Sequence, residues 1–230
     1  MKLFLKKLFT GIIIFTIIFF SSCKSKVDSN EDTSLIKINN NKFEVSDFDS
    51  VTLMTTMKIK TETGFMIVDT AIYSQFTQNS NLELLLPEKI FKGRLTKPDF
   101  ITDGSILISD ENVKLSSPLC INTFKAGEYC GKFVFTNLSK ENYLAKNNNI
   151  DYCEAVYIYA DRPAKISGTN FIYRTELSCN NLYNQHYDIQ LKKGWNRLIY
   201  KLDYVSPGVY NIEYLSGGYT TGMKWIYISA

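Results

Sequence analysis

From about residue 47 onward, apolar and polar residues alternate with a period of two. Val51, Leu53, Met57 and Ile59 fall on one side of such a run, and Thr52, Thr56, Lys58 and Lys60 fall on the other. A strand with one dry face and one wet face produces this spacing, because successive side chains of an extended backbone point to opposite sides. Phe65–Val68 is a short unbroken apolar stretch, the pattern of a strand covered on both faces. Leu82, Leu84 and Leu86 flank Glu83 and end at Pro87, which has no N–H to give to a ladder.

The last third of the chain is the most regular. Tyr187, Ile189 and Leu191 alternate with His186, Asp188 and Gln190, and Lys192-Lys193-Gly194 supplies a turn before the run Trp195–Leu202. Ser206-Pro207-Gly208 makes the next turn, Val209–Leu215 the next strand, Gly217-Gly218 a third break, and Trp225–Ser229 a further strand. Four strands joined by short turns predict an antiparallel meander, one face of which needs a second sheet or another cover. Helical pattern is confined to Lys140–Lys146, with Ser139 placed to cap it and Asn147-Asn148-Asn149 to end it. The expected fold class is all-β: an antiparallel β-sandwich, immunoglobulin-like or similar, over residues 47–230. One two-sheet body and two small sandwiches divided near residues 147–150 both fit this length.

Composition narrows the function classes. With 45% hydrophobic and 21% charged residues, the chain is too apolar for disorder. The formal charge of +3 includes Lys2, Lys6 and Lys7, so the chain from Cys23 onward carries 23 basic against 23 acidic residues. A neutral chain argues against a nucleic-acid partner, whose affinity needs clustered Lys and Arg. A single histidine excludes a multi-histidine metal site, and no cofactor or metal is expected.

The first residues read as an address. Lys2, Lys6 and Lys7 precede a charge-free run, Leu8–Phe20, of 13 residues, which is signal-peptide length and short of a spanning helix. Phe20-Ser21-Ser22-Cys23 then resembles the lipobox of bacterial lipoproteins, with Phe20 departing from the Leu usual at that position. The resemblance implies removal of residues 1–22 and palmitate-type acylation of Cys23, anchoring the chain to a membrane. Lys24 in place of Asp points to the outer membrane. Residues 23–46 are rich in Lys, Asp, Ser and Asn and are expected to be a polar tether. Together with Leu191-Lys192-Lys193-Gly194-Trp195-Asn196, this plan resembles uncharacterised β-sandwich lipoproteins of Gram-negative bacterial envelopes. That likeness supplies no catalytic residues.

Four cysteines remain, Cys120, Cys130, Cys153 and Cys179, and an even count in an exported chain predicts disulfides. The short-loop pairing is Cys120–Cys130 with Cys153–Cys179. No CxxC pair supports zinc. His186 is the one imidazole, with Asp188 or Asp203 as the acid to orient it, and reads best as a solvated residue on a wet strand face. Asp47, Asp49, Asp99, Asp103 and Asp110 read as turn residues, and Gly217–Lys224 as a turn without the lysine and helix of a phosphate loop.

Aromatics crowd the second half: Tyr152, Tyr157, Tyr159, Tyr173, Tyr183, Tyr187, Tyr200, Tyr204, Tyr210, Tyr214, Tyr219 and Tyr227, with Trp195 and Trp225. Most are expected to pack across strands. Tyr204, near a turn, and Tyr219, inside one, are the candidate ligand-binding residues. The expected role is a non-catalytic binding module for a glycan or an envelope protein. The alternatives are a structural or accessory subunit of an outer-membrane assembly, and a hydrolase using paired carboxylates.

Overall fold

Two-residue alternation turns most of the described chain into strands. The computed structural model describes residues 35–39, 48–61, 64–76, 81–98, 105–145, 151–176, 179–217 and 221–230. In chain order the strands are β1 (Leu35–Asn39), β2 (Ser50–Thr61), β3 (Gly64–Phe76), β4 (Asn81–Leu85), β5 (Ile106–Ile108), β6 (Cys120–Lys125) and β7 (Glu128–Thr136). They continue with β8 (Tyr152–Ala160), β9 (Ala164–Glu176), β10 (Cys179–Leu191), β11 (Gly194–Ser206), β12 (Val209–Ser216) and β13 (Lys224–Ser229). Helix α1 (Lys140–Ala145) stands where the sequence predicts it, and the Asn142 N–H donates to the Ser139 hydroxyl at 3.2 Å as its cap.

The architecture is all-β, open and sandwich-like. Eleven strands form one sheet in the order β3-β2-β6-β7-β8-β11-β12-β10-β9-β5, with β13 on the remaining edge of β7, while β1 and β4 form a separate two-stranded sheet. The small sheet lies on one face of the large one. Its Ile36, Ile38, Leu82 and Leu84 meet Val51, Leu53, Ile121, Phe133, Tyr157, Tyr159 and Trp195 in the largest buried cluster. On the opposite face, Ile106, Val113 and Leu115 cover Ile158, Ile166, Ile189, Leu191 and Leu198. Gly168 permits that cover: its φ is +132°, and a Cβ there would collide with the Ser105 carbonyl oxygen.

Two expectations are corrected here. The first concerns the tether, expected over residues 23–46. Leu35–Asn39 is instead a core strand, paired antiparallel with β4 from Leu35↔Leu85 to Asn39↔Asn81. The segment is polar on average, but Ile36 and Ile38 share one face and are fully buried. Two such side chains gain about 1.5–3 kcal/mol each, enough to hold five residues that composition alone assigns to solvent.

The second correction concerns the meander. β11 and β12 do form a hairpin, but β10 pairs with β12 in parallel and does not pair with β11. β13 leaves this group altogether and pairs with β7. The physical reason lies at the end of β12. Ser216 stands opposite Leu198, short of the β10–β11 turn, so the last residues of β10 and the first of β11 approach each other beyond it. The Ser216 hydroxyl bonds both the N–H and the carbonyl of Gln190, replacing a ladder at the wedge point. Buried Asn196 then clamps the turn: its side-chain oxygen accepts from the Lys192 N–H at 2.9 Å, and its amide donates to the carbonyls of Lys192 and Gly194 at 2.8 and 2.9 Å. Gly194 supplies the turn with φ +97°. The segment quoted above for its family likeness is thus a turn lock. The division near residues 147–150 falls outside the described residues.

If β1 is core and not tether, Ile38→Ala lowers the unfolding free energy by about 2–5 kcal/mol. Lys37→Ala, whose side chain is exposed, changes it by less than about 0.5 kcal/mol. Urea titrations of the two variants check this, and equal midpoints would contradict it.

Candidate functional site

Residues that face each other across a ladder point to the same side of the sheet. That rule collects seven tyrosines onto one face of β8, β11, β12 and β10. Tyr200 pairs with Tyr214 and Tyr204 with Tyr210 across the β11–β12 hairpin. The parallel β12–β10 ladder sets Tyr210 beside Tyr183 and Tyr214 beside Tyr187. Tyr152 on β8 joins through its register with Leu202 and packs on Tyr200 at 5.6 Å.

The rings stand upright and lean on one another. Tyr187 and Tyr214 are stacked, with centroids 4.7 Å apart and planes 6° from parallel. Tyr183 and Tyr210 stack at 5.2 Å and 18°. Tyr200 meets Tyr214 edge-on at 5.5 Å, and Tyr204 lies against Tyr210 at 6.0 Å. These rings roof buried Leu202 and Ile212 while Tyr152, Tyr183, Tyr200, Tyr204 and Tyr214 remain half-exposed. In the two stacked pairs each ring covers one face of its partner, so Tyr183 and Tyr214 offer mainly edges and hydroxyls outward.

Polar groups on this face are tied in. The Tyr187 hydroxyl donates to the Gln185 side-chain oxygen at 2.8 Å, and the Gln185 amide reaches the Tyr214 hydroxyl at 3.5 Å. Glu154, opposite Tyr200 in the register, is half-buried, and burial pushes its carboxyl above the ordinary range against a weaker opposing pull from Lys132. Burial likewise raises the phenols of Tyr152, Tyr187 and Tyr200. Tyr143, on α1, is pushed up to about 12 for the same reason.

The sequence-predicted site residues fare differently. Tyr204 belongs to the tyrosine face, at its end nearest the β11–β12 turn, where the Tyr204 N–H donates to Asp151 at 2.8 Å. Tyr219 and Cys23 lie outside the described residues. The expected cross-strand packing holds for the tyrosines of β10, β11 and β12, whereas Tyr157, Tyr159 and Trp195 enter the core on the opposite face.

The expected disulfides are not formed; Cys120, Cys130 and Cys153 carry thiols. Ile121 faces Phe133, so Cys120 and Cys130 are offset by four ladder steps. That is about 13 Å at ~3.4 Å per residue, beyond the ~7 Å limit for bridging. The Cys130 thiol instead lies 3.4 Å from the Thr123 hydroxyl. Cys153 is separated from the strand that carries Cys179 by two intervening strands, β11 and β12. The Cys179 side chain is outside the described residues.

Burial raises the Cys153 thiol, outweighing the pull of Lys201, so it stays protonated at neutral pH. Lys201 is committed to Asp203 at 2.6 Å and Glu213 at 3.6 Å. His186 sits on the exposed face of β10, opposite Glu213 and Thr169 in its two ladders. Asp49 accepts from the Ala126 N–H at 2.8 Å and Asp110 from the Asn112 N–H at 2.9 Å, both as turn carboxylates. Asp47, Asp99 and Asp103 are outside the described residues. Among the described residues, no group of three His, Cys, Asp or Glu side chains converges as a metal site.

A signal for the tyrosine face was present in the sequence. Tyr183/Tyr187, Tyr200/Tyr204 and Tyr210/Tyr214 are three pairs at the same spacing of four on three successive strands. In a strand that spacing keeps both rings on one side. The parallel pairing that joins the pairs into one surface left no comparable trace.

Comparison with protein-family models, curated proteins and solved structures finds no match.

Two outcomes follow. Native alkylation labels exposed Cys120 well before Cys153, which reacts only on unfolding, and peptide mapping finds no Cys120–Cys130 bridge. The second is a pH effect. Above pH ~10 an unfolded tyrosine loses its proton while Tyr143, Tyr187 and Tyr200 keep theirs in the fold, so the folded state binds more protons. Stability is therefore full below that pH and falls as pH rises further. Tyr200→Phe flattens the fall, as read by urea midpoints across the alkaline range.

Proposed function

We propose that this protein is a lipid-anchored component of a bacterial outer membrane that acts by binding, and that the tyrosine face is its recognition surface. Anchoring rests on the lipobox-like residues ending at Cys23 and the charge-free segment before them. The observation that carries the binding reading is the gathering of five half-exposed tyrosines from four strands onto one face, braced by buried Tyr187 and Tyr210. Tyrosine gives a large, stiff contact area at low entropic cost and dominates the energetic centres of protein interfaces.

Ring orientation favours a protein over a glycan. Sugar stacking needs an open ring face, and Tyr187, Tyr214, Tyr183 and Tyr210 spend theirs on each other. Edges and hydroxyls suit a polypeptide that brings apolar side chains and backbone hydrogen-bonding groups. A β-sheet platform also holds the rings in place before the partner arrives, which reduces the ordering cost of association. An accessory place beside an outer-membrane assembly is the same contact made permanently, and is distinguished by whether the complex survives native purification.

The test places a photo-crosslinking residue at Tyr204 in the lipidated protein in its own membrane. A defined protein adduct is expected, and Tyr183→Ala or Tyr214→Ala weakens the purified complex by more than about 1 kcal/mol. Glycan-array binding that these variants abolish, with no protein adduct, would reverse the choice of partner. Acylation is tested separately, by the mass of the amino-terminal peptide of the native protein, expected to begin at a diacylated or triacylated Cys23.

A further inference from the structure

We infer that the end of the fold at which β1 begins is a docking surface for a bilayer containing anionic phospholipid, with Phe91 as its apolar anchor and Lys89, Lys92, Lys192 and Lys193 around it. The inference deepens the anchored reading above and rests on it for the direction from which the chain arrives.

Four observations meet at this end. The first is the place where the chain enters the fold. Leu35, the first residue of β1, pairs with Leu85, two residues before Pro87. Only twelve residue steps separate it from Cys23, a span of at most about 40 Å when fully extended and roughly 20 Å when relaxed. That is about half the leash the sequence predicts, so the body stands close to its anchor and this end faces the bilayer.

The second is an unpaired apolar display. Phe91 is 73% exposed and Leu85 61% exposed. The loop that carries Phe91 is held firmly from below: Ile90 and Leu95 pack on the main core, and the Arg94 guanidinium donates to the Ala71 carbonyl at 2.9 Å. Phe91 is therefore presented outward by a braced loop.

The third is charge. Between Pro87 and Lys97 the loop carries Lys89, Lys92, Arg94 and Lys97 against the single acid Glu88. The fourth is the neighbouring turn. The Trp195 indole N–H donates to the Pro87 carbonyl at 2.8 Å, which sets the β10–β11 turn and its exposed Lys192 and Lys193 beside the loop. Arg162, on the adjacent β8–β9 turn, adds nothing, because it is tied to Asp161 and Asp110.

An exposed aromatic ring on a braced, lysine-bearing loop, with a second lysine-bearing turn tied to that loop, matches the chemistry of a membrane interface. The ring moves from water into the headgroup and acyl boundary, and the ammonium groups meet lipid phosphates while their stems stay over the apolar layer. The attraction fades within a Debye length, so it acts only because the tether is short. Docked in this way, the protein turns the β11–β12 hairpin end, with Tyr204, away from the bilayer.

The test uses the full mature chain from residue 23 with Cys23→Ser, so that no acyl chain contributes. It is sedimented with vesicles of phosphatidylcholine alone and of phosphatidylcholine mixed with phosphatidylglycerol. Binding is expected to the mixed vesicles only and to weaken with salt. The Lys89→Glu/Lys92→Glu/Lys192→Glu/Lys193→Glu variant, with an unchanged thermal melt, is expected to bind at least about tenfold more weakly. In Phe91→Trp, tryptophan emission shifts to the blue on adding mixed vesicles. No binding to mixed vesicles at low salt, equal binding by the charge-reversed variant, or unmoved emission from a bound Phe91→Trp protein would each overturn the proposal. Failure to find acyl chains on native Cys23 counts against the anchored reading, whereas the vesicle results count for or against this surface.

Discussion

Strand β12 lies between two strands that are neighbours in the chain, and the arrangement of the whole second half depends on that insertion. A strand pushed between β10 and β11 leaves backbone groups without ladder partners where the three diverge. The hydroxyl of Ser216 and the amide of Asn196 satisfy them. Each such bond contributes about 0.5–1.5 kcal/mol, so these side chains stabilise the insertion where the ladders end. With β12 in place, Tyr183 and Tyr187 acquire Tyr210 and Tyr214 as neighbours. Had β10 paired with β11 directly, Tyr183 and Tyr187 would face Leu202 and Leu198 and lose Tyr210 and Tyr214 as stacking partners.

The same turn governs the other end of the molecule. Trp195 follows Gly194 by one residue, enters the main core against Tyr159, and bonds the Pro87 carbonyl. One five-residue segment therefore fixes both the sheet order that builds the tyrosine face and the position of the basic loop. The two surfaces are set at opposite ends of β11 by a single local geometry. On the proposed function, that fixed separation keeps the partner-facing end clear of the anchored one.

Local pattern made the strands legible, and long-range pairing was hidden from it. Leu82, Leu84 and Leu86 announce a buried strand face because burial follows period directly, and Ser139 announces the helix because a cap is a contact three residues away. Composition misled at Leu35–Asn39, where two isoleucines outweigh a polar neighbourhood once a partner strand 45 or so residues later is available. The parallel β10–β12 pair was illegible for a related reason. Short turns at 192–194 and 206–208 suggest hairpins, and only Ser216 and Asn196, read as hydrogen-bonding groups at one level of the sheet, explain why one of the two is refused. The tyrosine spacing was visible as a repeat, while its meaning as a surface required the strand order. The cysteines show the limit of counting: an even number says nothing about separations of several strand widths.

The central cluster also joins segments from far apart in the chain. Phe48 packs against Phe133 and Tyr227, and Trp225 lies over Phe135. The side of this interior lined by Trp225 and Tyr227 is completed only once residues 225–227 have been made. Contacts of such long range form slowly. During synthesis that side therefore stays open, and the rings of Phe48 and Phe133 face water until the late strand arrives.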